Sequence, residues 1–263
     1  MRRLEPRMLL AVVAVFGLCQ PAKAVDHNNL DAGRPFSFDD AESIAFREQA
    51  VEGGIFLRRP NGRSEGFGLD LSYLYGVALN THLSAELSAS RGGRAGSVET
   101  RAGLDRLDVG VFHSFNREHG ETPAFAVRVD VSLPVSREAV GVAARVRGIL
   151  SKTVGAYDRL HVNADVEVEP NRREGEQAVR SALTLGWSRP LGYPRAFHTT
   201  GLAELRVASG GASGQSPILS AGVGLRRQIF VRSVLDVGIS SEFAGGSGER
   251  DLLRVTVGMS AGF

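Results

Sequence analysis

Residues 252–263 read Leu-Leu-Arg-Val-Thr-Val-Gly-Met-Ser-Ala-Gly-Phe. Leu253, Val255, Val257, Met259, Ala261 and Phe263 occupy every second position, and Arg254, Thr256, Gly258, Ser260 and Gly262 fill the positions between them. Successive strand side chains point to opposite faces, so this stretch is a strand with one apolar face and one small or polar face. It stops on an aromatic residue. Such a strand suits a membrane barrel, whose last strand pairs with its first and leaves no open edge. The competing reading is the edge strand of a soluble β-sandwich.

Eleven further runs alternate in the same way, beginning near residues 46, 64, 82, 104, 123, 142, 159, 178, 195, 217 and 233. The run 123–135 sets Phe125, Val127, Val129, Val131 and Leu133 against Arg128 and Asp130. The run 159–169 sets Leu160, Val162, Ala164, Val166 and Val168 against His161, Asn163, Asp165, Glu167 and Glu169. Twelve runs is an even number, which leaves both ends of the barrel wall on one side of the membrane. Residues 46–263 are therefore expected to form an all-β, antiparallel, 12-stranded transmembrane up-and-down β-barrel with short loops, in the outer membrane of a Gram-negative envelope. Aromatics give an independent check. Tyr75, Phe115, Phe125, Tyr157, Trp187, Tyr193, Phe197, Phe230 and Phe263 all lie at or beside alternate turns or the end of the last run. A membrane-interface girdle places them there, whereas a soluble core would place them mid-strand.

Residues 1–24 have the form of a secretory signal: Arg2, Arg3 and Arg7, then an apolar stretch too short to span a bilayer, then Ala22-Lys23-Ala24 for cleavage. The single cysteine, Cys19, lies in this segment, and the Leu18 before it fits a lipoprotein site poorly. Without residues 1–24, which hold Arg2, Arg3, Arg7, Lys23 and Glu5, the 31 Lys+Arg and 29 Asp+Glu become 27 and 28. That near-neutral balance gives no reason to expect a nucleic-acid partner. Residues 25–45 match no strand; they are a periplasmic lead-in, a small plug in the lumen, or a disordered tail.

The inner face carries charges of both signs. The candidate lumen or eyelet residues are Arg128, Asp130, Arg145, Arg147, His161, Asp165, Glu167, Glu204, Arg206, Asp236 and Arg254. Their densest meeting is Arg145 and Arg147 facing Asp165 and Glu167 across one hairpin. They form either an eyelet that selects a solute by charge or a salt-bridge network that fills a narrow lumen. Phe263 is the candidate membrane-assembly residue. His161 beside Asn163 raises an esterase of the outer-membrane phospholipase kind, but no serine is placed beside His161 by the sequence. The chain is accordingly expected not to be an enzyme. The six histidines show no metal-ligand spacing and no phosphate-binding loop is present, so neither a metal nor a cofactor is expected.

Several stretches resemble the outer-membrane, transporter-like family associated with the MetA pathway of phenol degradation. They are Arg34-Pro35 with Asp39-Asp40-Ala41, residues 123–134 ending in Leu133-Pro134, residues 149–155 with 159–163, residues 202–205 and residues 235–238. The family's Thr-Gly after the central Leu-Pro is replaced by Val135-Ser136. The resemblance implies a β-barrel passing a small, hydrophobic or aromatic solute. Outer-membrane lipid and the barrel-assembly machinery are the other partners expected of a barrel in this membrane. The alternative is a structural or lipid-active barrel that transports nothing.

Overall fold

The computed structural model describes residues 34–61, 65–91, 103–135, 141–171, 175–192, 195, 198–244 and 250–263. The strands are β1 (Gln49–Pro60), β2 (Gly66–Ala78), β3 (Thr81–Arg91), β4 (Gly103–Asn116), β5 (Ala124–Pro134), β6 (Ala143–Val154), β7 (Asp158–Val168), β8 (Val179–Pro190), β9 (Thr199–Ala208), β10 (Ile218–Phe230), β11 (Ser233–Ala244) and β12 (Asp251–Gly262). Each pairs antiparallel with the next, and β12 pairs with β1 from Ala50↔Gly262 to Pro60↔Asp251, so the sheet closes on itself. Phe263 carries that seam one residue further. Its N–H donates to the Gln49 carbonyl at 2.9 Å, and its own carbonyl accepts the Gln49 N–H at 3.1 Å.

The expected twelve strands are all present, with ends shifted by a few residues where turn chemistry intervenes. The first begins at Gln49 rather than 46, because Arg47 (φ 65°) turns the chain before the ladder starts. We call the end where β1 begins the near end. Its connections are tight: Leu79 and Asn80 alone join β2 to β3, with Asn80 at φ 60°, a conformation asparagine tolerates better than most residues.

The alternation places apolar side chains outside and polar ones inside. Val146, Leu183 and Val223 are about half exposed or more (49%, 56% and 61%), while Asp130, Asn163, Thr184 and Asp236 are buried. A water-soluble domain has the reverse arrangement. The apolar exterior belongs in lipid, and the closed ladder leaves no open sheet edge there. The protein is an outer-membrane β-barrel. Tyr75, Phe115, Phe125, Tyr157 and Phe230 are exposed around the near end, as an interfacial girdle requires. Trp187 donates its indole N–H to Asp158 at 2.8 Å in the same region. Tyr193 and Phe197 lie outside the described residues.

Candidate functional site

Residues 34–45 run inside the barrel. They have no ladder of their own, and buried backbone donors and acceptors need partners; inward-facing side chains of the wall provide them. Arg34 reaches Glu52 on β1 at 2.9 Å, and its carbonyl accepts from Arg226 on β10 at 2.6 Å. The Ser37 N–H and hydroxyl both donate to Glu204 on β9 at 2.7 Å. Phe38 stacks on His161 of β7 with ring centres 5.0 Å apart. The Asp39 N–H donates to Asn163 Oδ1 at 2.6 Å and the Asn163 amide returns a bond to the Asp39 carbonyl at 3.0 Å, the two-way pairing a neighbouring strand would offer. The Ala41 N–H donates to Ser151 on β6 at 3.0 Å, and Ser114 on β4 donates to the Ala41 carbonyl. Ile44 then packs with Ala50, Leu74 and Val234 at the near end. The segment thus meets β10, β9, β7, β6 and β4 in descending order, circling most of the inner wall before it becomes β1.

Inward glycines make room for this path. A Cβ built on Gly222 would come 2.5 Å from the Phe36 ring, and one on Gly238 would come 2.7 Å from Pro35. One on Gly186 would collide with the Phe38 ring. Glycine inside a strand signals close approach of other atoms, and here the approaching atoms are those of residues 35–38.

The expected charge cluster is present but wired differently. Arg147 faces Asp165 as the hairpin register requires and donates to it twice, at 2.6 and 3.2 Å. The same guanidinium also binds the Asp39 carboxylate and, at 2.8 Å, the Ser37 carbonyl. Arg145 lies opposite Glu167 yet turns to Asp130 on β5, at 2.9 and 3.1 Å. Asp130 takes Arg128 as well, at 2.8 Å. Glu167 pairs instead with Arg180 of β8, and Glu169 with Arg106 and Arg180 at 3.0 and 2.8 Å. These side chains of β4 to β8 therefore form a neutralised network, which leaves out Asp108 of β4, whose Oδ1 is buried without a partner. Burial pushes Asp39 upward, but Arg147 and Arg128 outweigh it and hold its carboxyl below the ordinary carboxylate range.

At the near-end mouth, Arg159 binds both Asp40 oxygens at 2.8 Å and also Glu42 and Glu118, each at 3.0 Å. Glu118, in the β4–β5 connection, accepts Lys152 at 2.9 Å and the N–H and hydroxyl of Thr153. Desolvation raises the Glu118 carboxyl, and these bonds together more than reverse it, leaving it below its ordinary value.

His161 corrects one expectation. Serines do stand beside it: Ser151 lies 3.0 Å from Nδ1, directly opposite on β6, and Ser188 lies 3.1 Å from Nε2. Cross-strand register, invisible in the sequence, places them. The trio lacks the carboxylate orienter of a Ser-His-Asp triad. Both ring nitrogens are committed to hydroxyls, and Asp40 comes no nearer than 4.0 Å. Ser151 is buried beneath Ala41 and accepts its N–H, so no acyl group reaches the hydroxyl. These groups seat the N-terminal segment.

Three of the remaining candidates, Glu204, Arg206 and Arg254, face a cavity of about 220 Å³ beyond the segment, towards the far end. Its floor is Arg34, Pro35, Phe36 and Ser37; Glu204, Arg206 and Arg254 line it. Arg254 lies over the Phe56 ring at 4.1 Å. Asp236 is buried to one side, opposite Arg226 in the ladder. Four carboxylates outside the candidate set, Asp70, Glu86, Glu242 and Asp251, also line it.

No family model and no curated protein matches the sequence. Solved structures do match its fold. An outer-membrane channel from Pseudomonas putida F1 superposes with a TM-score of 0.70 at 12% identity, over 85% of this chain and 98% of that one. The NanC porin gives 0.56 at 10% identity, over 81% and 98%. The β domain of the Bordetella autotransporter BrkA gives 0.50 at 14%, over 81% and 98%. Channel, porin and autotransporter share these walls, so function has to be argued from the lumen. At these identities the likeness is one of fold, and the fold is that of the outer-membrane β-barrels.

Proposed function

We propose that the barrel is a channel for small solutes, with residues 34–45 as its constriction. The carrying observation is the circuit of that segment around the inner wall, with a polar cavity left on its far-end side. The family resemblance and the channel and porin folds support passage through the lumen. The cavity falls below the roughly 300–1,000 Å³ of sites for drug-sized ligands, which favours a solute of few atoms. Its lining of serines, carboxylates and guanidiniums favours a polar solute over the aromatic one that the resemblance implies. The lipid-active alternative is the weaker reading: Ser151 is sealed under Ala41, and the carboxylate nearest His161, Asp40 at 4.0 Å, is too far to orient the ring towards Ser188.

The test is conductance in planar bilayers. The full-length barrel should carry a small, steady current, and a variant lacking residues 34–45 should carry a current several-fold larger. A wild-type barrel that conducts nothing, and passes no small solutes in liposome swelling, would overturn the reading.

We further propose that residues 1–24, which lie outside the described residues, direct export, and that Phe263 serves insertion by the barrel-assembly machinery. Phe263 completes the β1–β12 seam through two backbone bonds. Its deletion should reduce the membrane-inserted fraction several-fold while leaving the conductance of each inserted barrel unchanged. Wild-type insertion of the deleted chain would refute the assignment.

A further inference from the structure

The neutralised network of β4 to β8 makes the opposite part of the lumen conspicuous. Among the described residues, Asp70, Glu86 and Arg206 have neither a hydrogen-bond nor an ion-pair partner, and Arg254 lies over the face of Phe56. The other acids of the cavity are engaged: Glu204 accepts from Ser37, Glu242 accepts the Asp251 N–H at 2.8 Å, and Asp251 is not free either. The Nε of Arg206 is buried with no acceptor. Unpaired charges withdrawn from bulk water are costly unless something compensates them. Here the charges face each other without an ion pair: Asp70 on β2 feels Arg254 on β12 but does not touch it. Glu86 on β3 and Arg206 on β9 stand six strands apart in a ring of twelve, on opposite sides of the lumen.

We propose that this cavity is a binding site for a small zwitterion of amino-acid or dipeptide size. Its carboxylate is held by Arg206 and Arg254, and its ammonium by Asp70 and Glu86. A guanidinium offers forked N–H donors suited to a carboxylate. A lone anion would satisfy the arginines and leave the acids bare, and a lone cation would do the reverse. A zwitterion satisfies both sides and adds no net charge. The serines of the lining (Ser72, Ser220 and Ser240) supply hydroxyls between the two poles. The inference rests on the channel reading for its biological sense, but the site itself is testable without conduction.

The probes are L-alanyl-L-alanine, its C-terminal amide and its N-formyl derivative. Binding to the detergent-solubilised full-length barrel is measured by titration calorimetry, and block of current is measured in bilayers. Alanyl-alanine should bind at least tenfold more tightly than either analogue. Arg206→Gln should erase its advantage over the amide, and Asp70→Asn should erase its advantage over the formyl peptide. Heat-modifiable gel migration verifies that each variant is folded. Equal binding of all three peptides, or unchanged preference in folded Arg206→Gln protein, would overturn the site. Selective calorimetric binding without current would uphold the site and sink the channel reading; current without selectivity would do the opposite.

Discussion

Arg147→Ala is expected to unseat residues 34–45 and open the lumen. Arg147 is buried and serves two masters: two bonds to Asp165 on the neighbouring strand, and bonds to the Asp39 carboxylate and the Ser37 carbonyl. Its removal strands both carboxylates. Asp39 would keep only Arg128, at 3.8 Å. Removing one member of a buried ion pair costs on the order of 3–5 kcal/mol, because the partner's charge stays desolvated and unpaired. The cheaper escape is for Asp39 to leave with its segment. Single-channel conductance should rise several-fold towards that of the barrel lacking residues 34–45, and the temperature at which the folded gel band disappears should fall. Asp39→Asn leaves Arg147 with Asp165, so its effect should be smaller, and adding it to Arg147→Ala should cost less than the sum of the two. A variant with wild-type conductance and wild-type thermal midpoint would show that Arg147 holds nothing in place.

Gly186→Leu should produce the same opening without touching a charge. Leucine is at ease in a strand, and the backbone of β8 loses nothing by it. The new side chain takes the space that the Phe38 ring fills against Gly186. Overpacking of a filled site costs roughly 1–3 kcal/mol, and here the strain falls on the segment, which is held by fewer bonds than the barrel wall. Conductance should rise, and Phe38→Ala in the same chain should restore it by vacating the ring's volume. Gly148→Leu is the control: a Cβ there meets nothing within 4 Å, and conductance should not change. If Gly186→Leu leaves the current unchanged, Phe38 is not a load on the lumen.

The barrel was legible because membrane strands write their faces into the sequence at period two, and lipid demands that the outer set be apolar throughout. Val129 and Asp130 are assigned to opposite faces by that rule alone. What lies across the lumen is not written this way. Asp39 and Asn163 exchange hydrogen bonds although 124 positions apart, and no local pattern joins them. Ser151 meets His161 through hairpin register, which depends on where a turn falls. Arg145 faces Glu167 in the ladder but bonds to Asp130, because a long side chain chooses among three strands and the pattern names only one. One signal was available and unused. Gly186, Gly222, Gly224 and Gly238 all fall on inward positions of strands that otherwise carry side chains there, and missing volume on one face of several strands implies something else occupying it. Residues 34–45, polar and unmatched to any strand, were the obvious tenant.

The circuit of that segment also bears on how the molecule comes into being. Residues 34–45 precede β1, so they emerge before any staves of the cask exist. Their seats lie mostly on β6 to β11, made late in the chain. A girdle touching so many late strands is hard to thread through a finished mouth; the staves are instead raised around it. Each incoming hairpin then finds its inward charges met by a residue already waiting: Arg147 by Asp39, Glu204 by Ser37, Arg226 by the Arg34 carbonyl. On that route, closing the wall and filling the lumen would be one event, with the segment as the former on which the barrel is shaped.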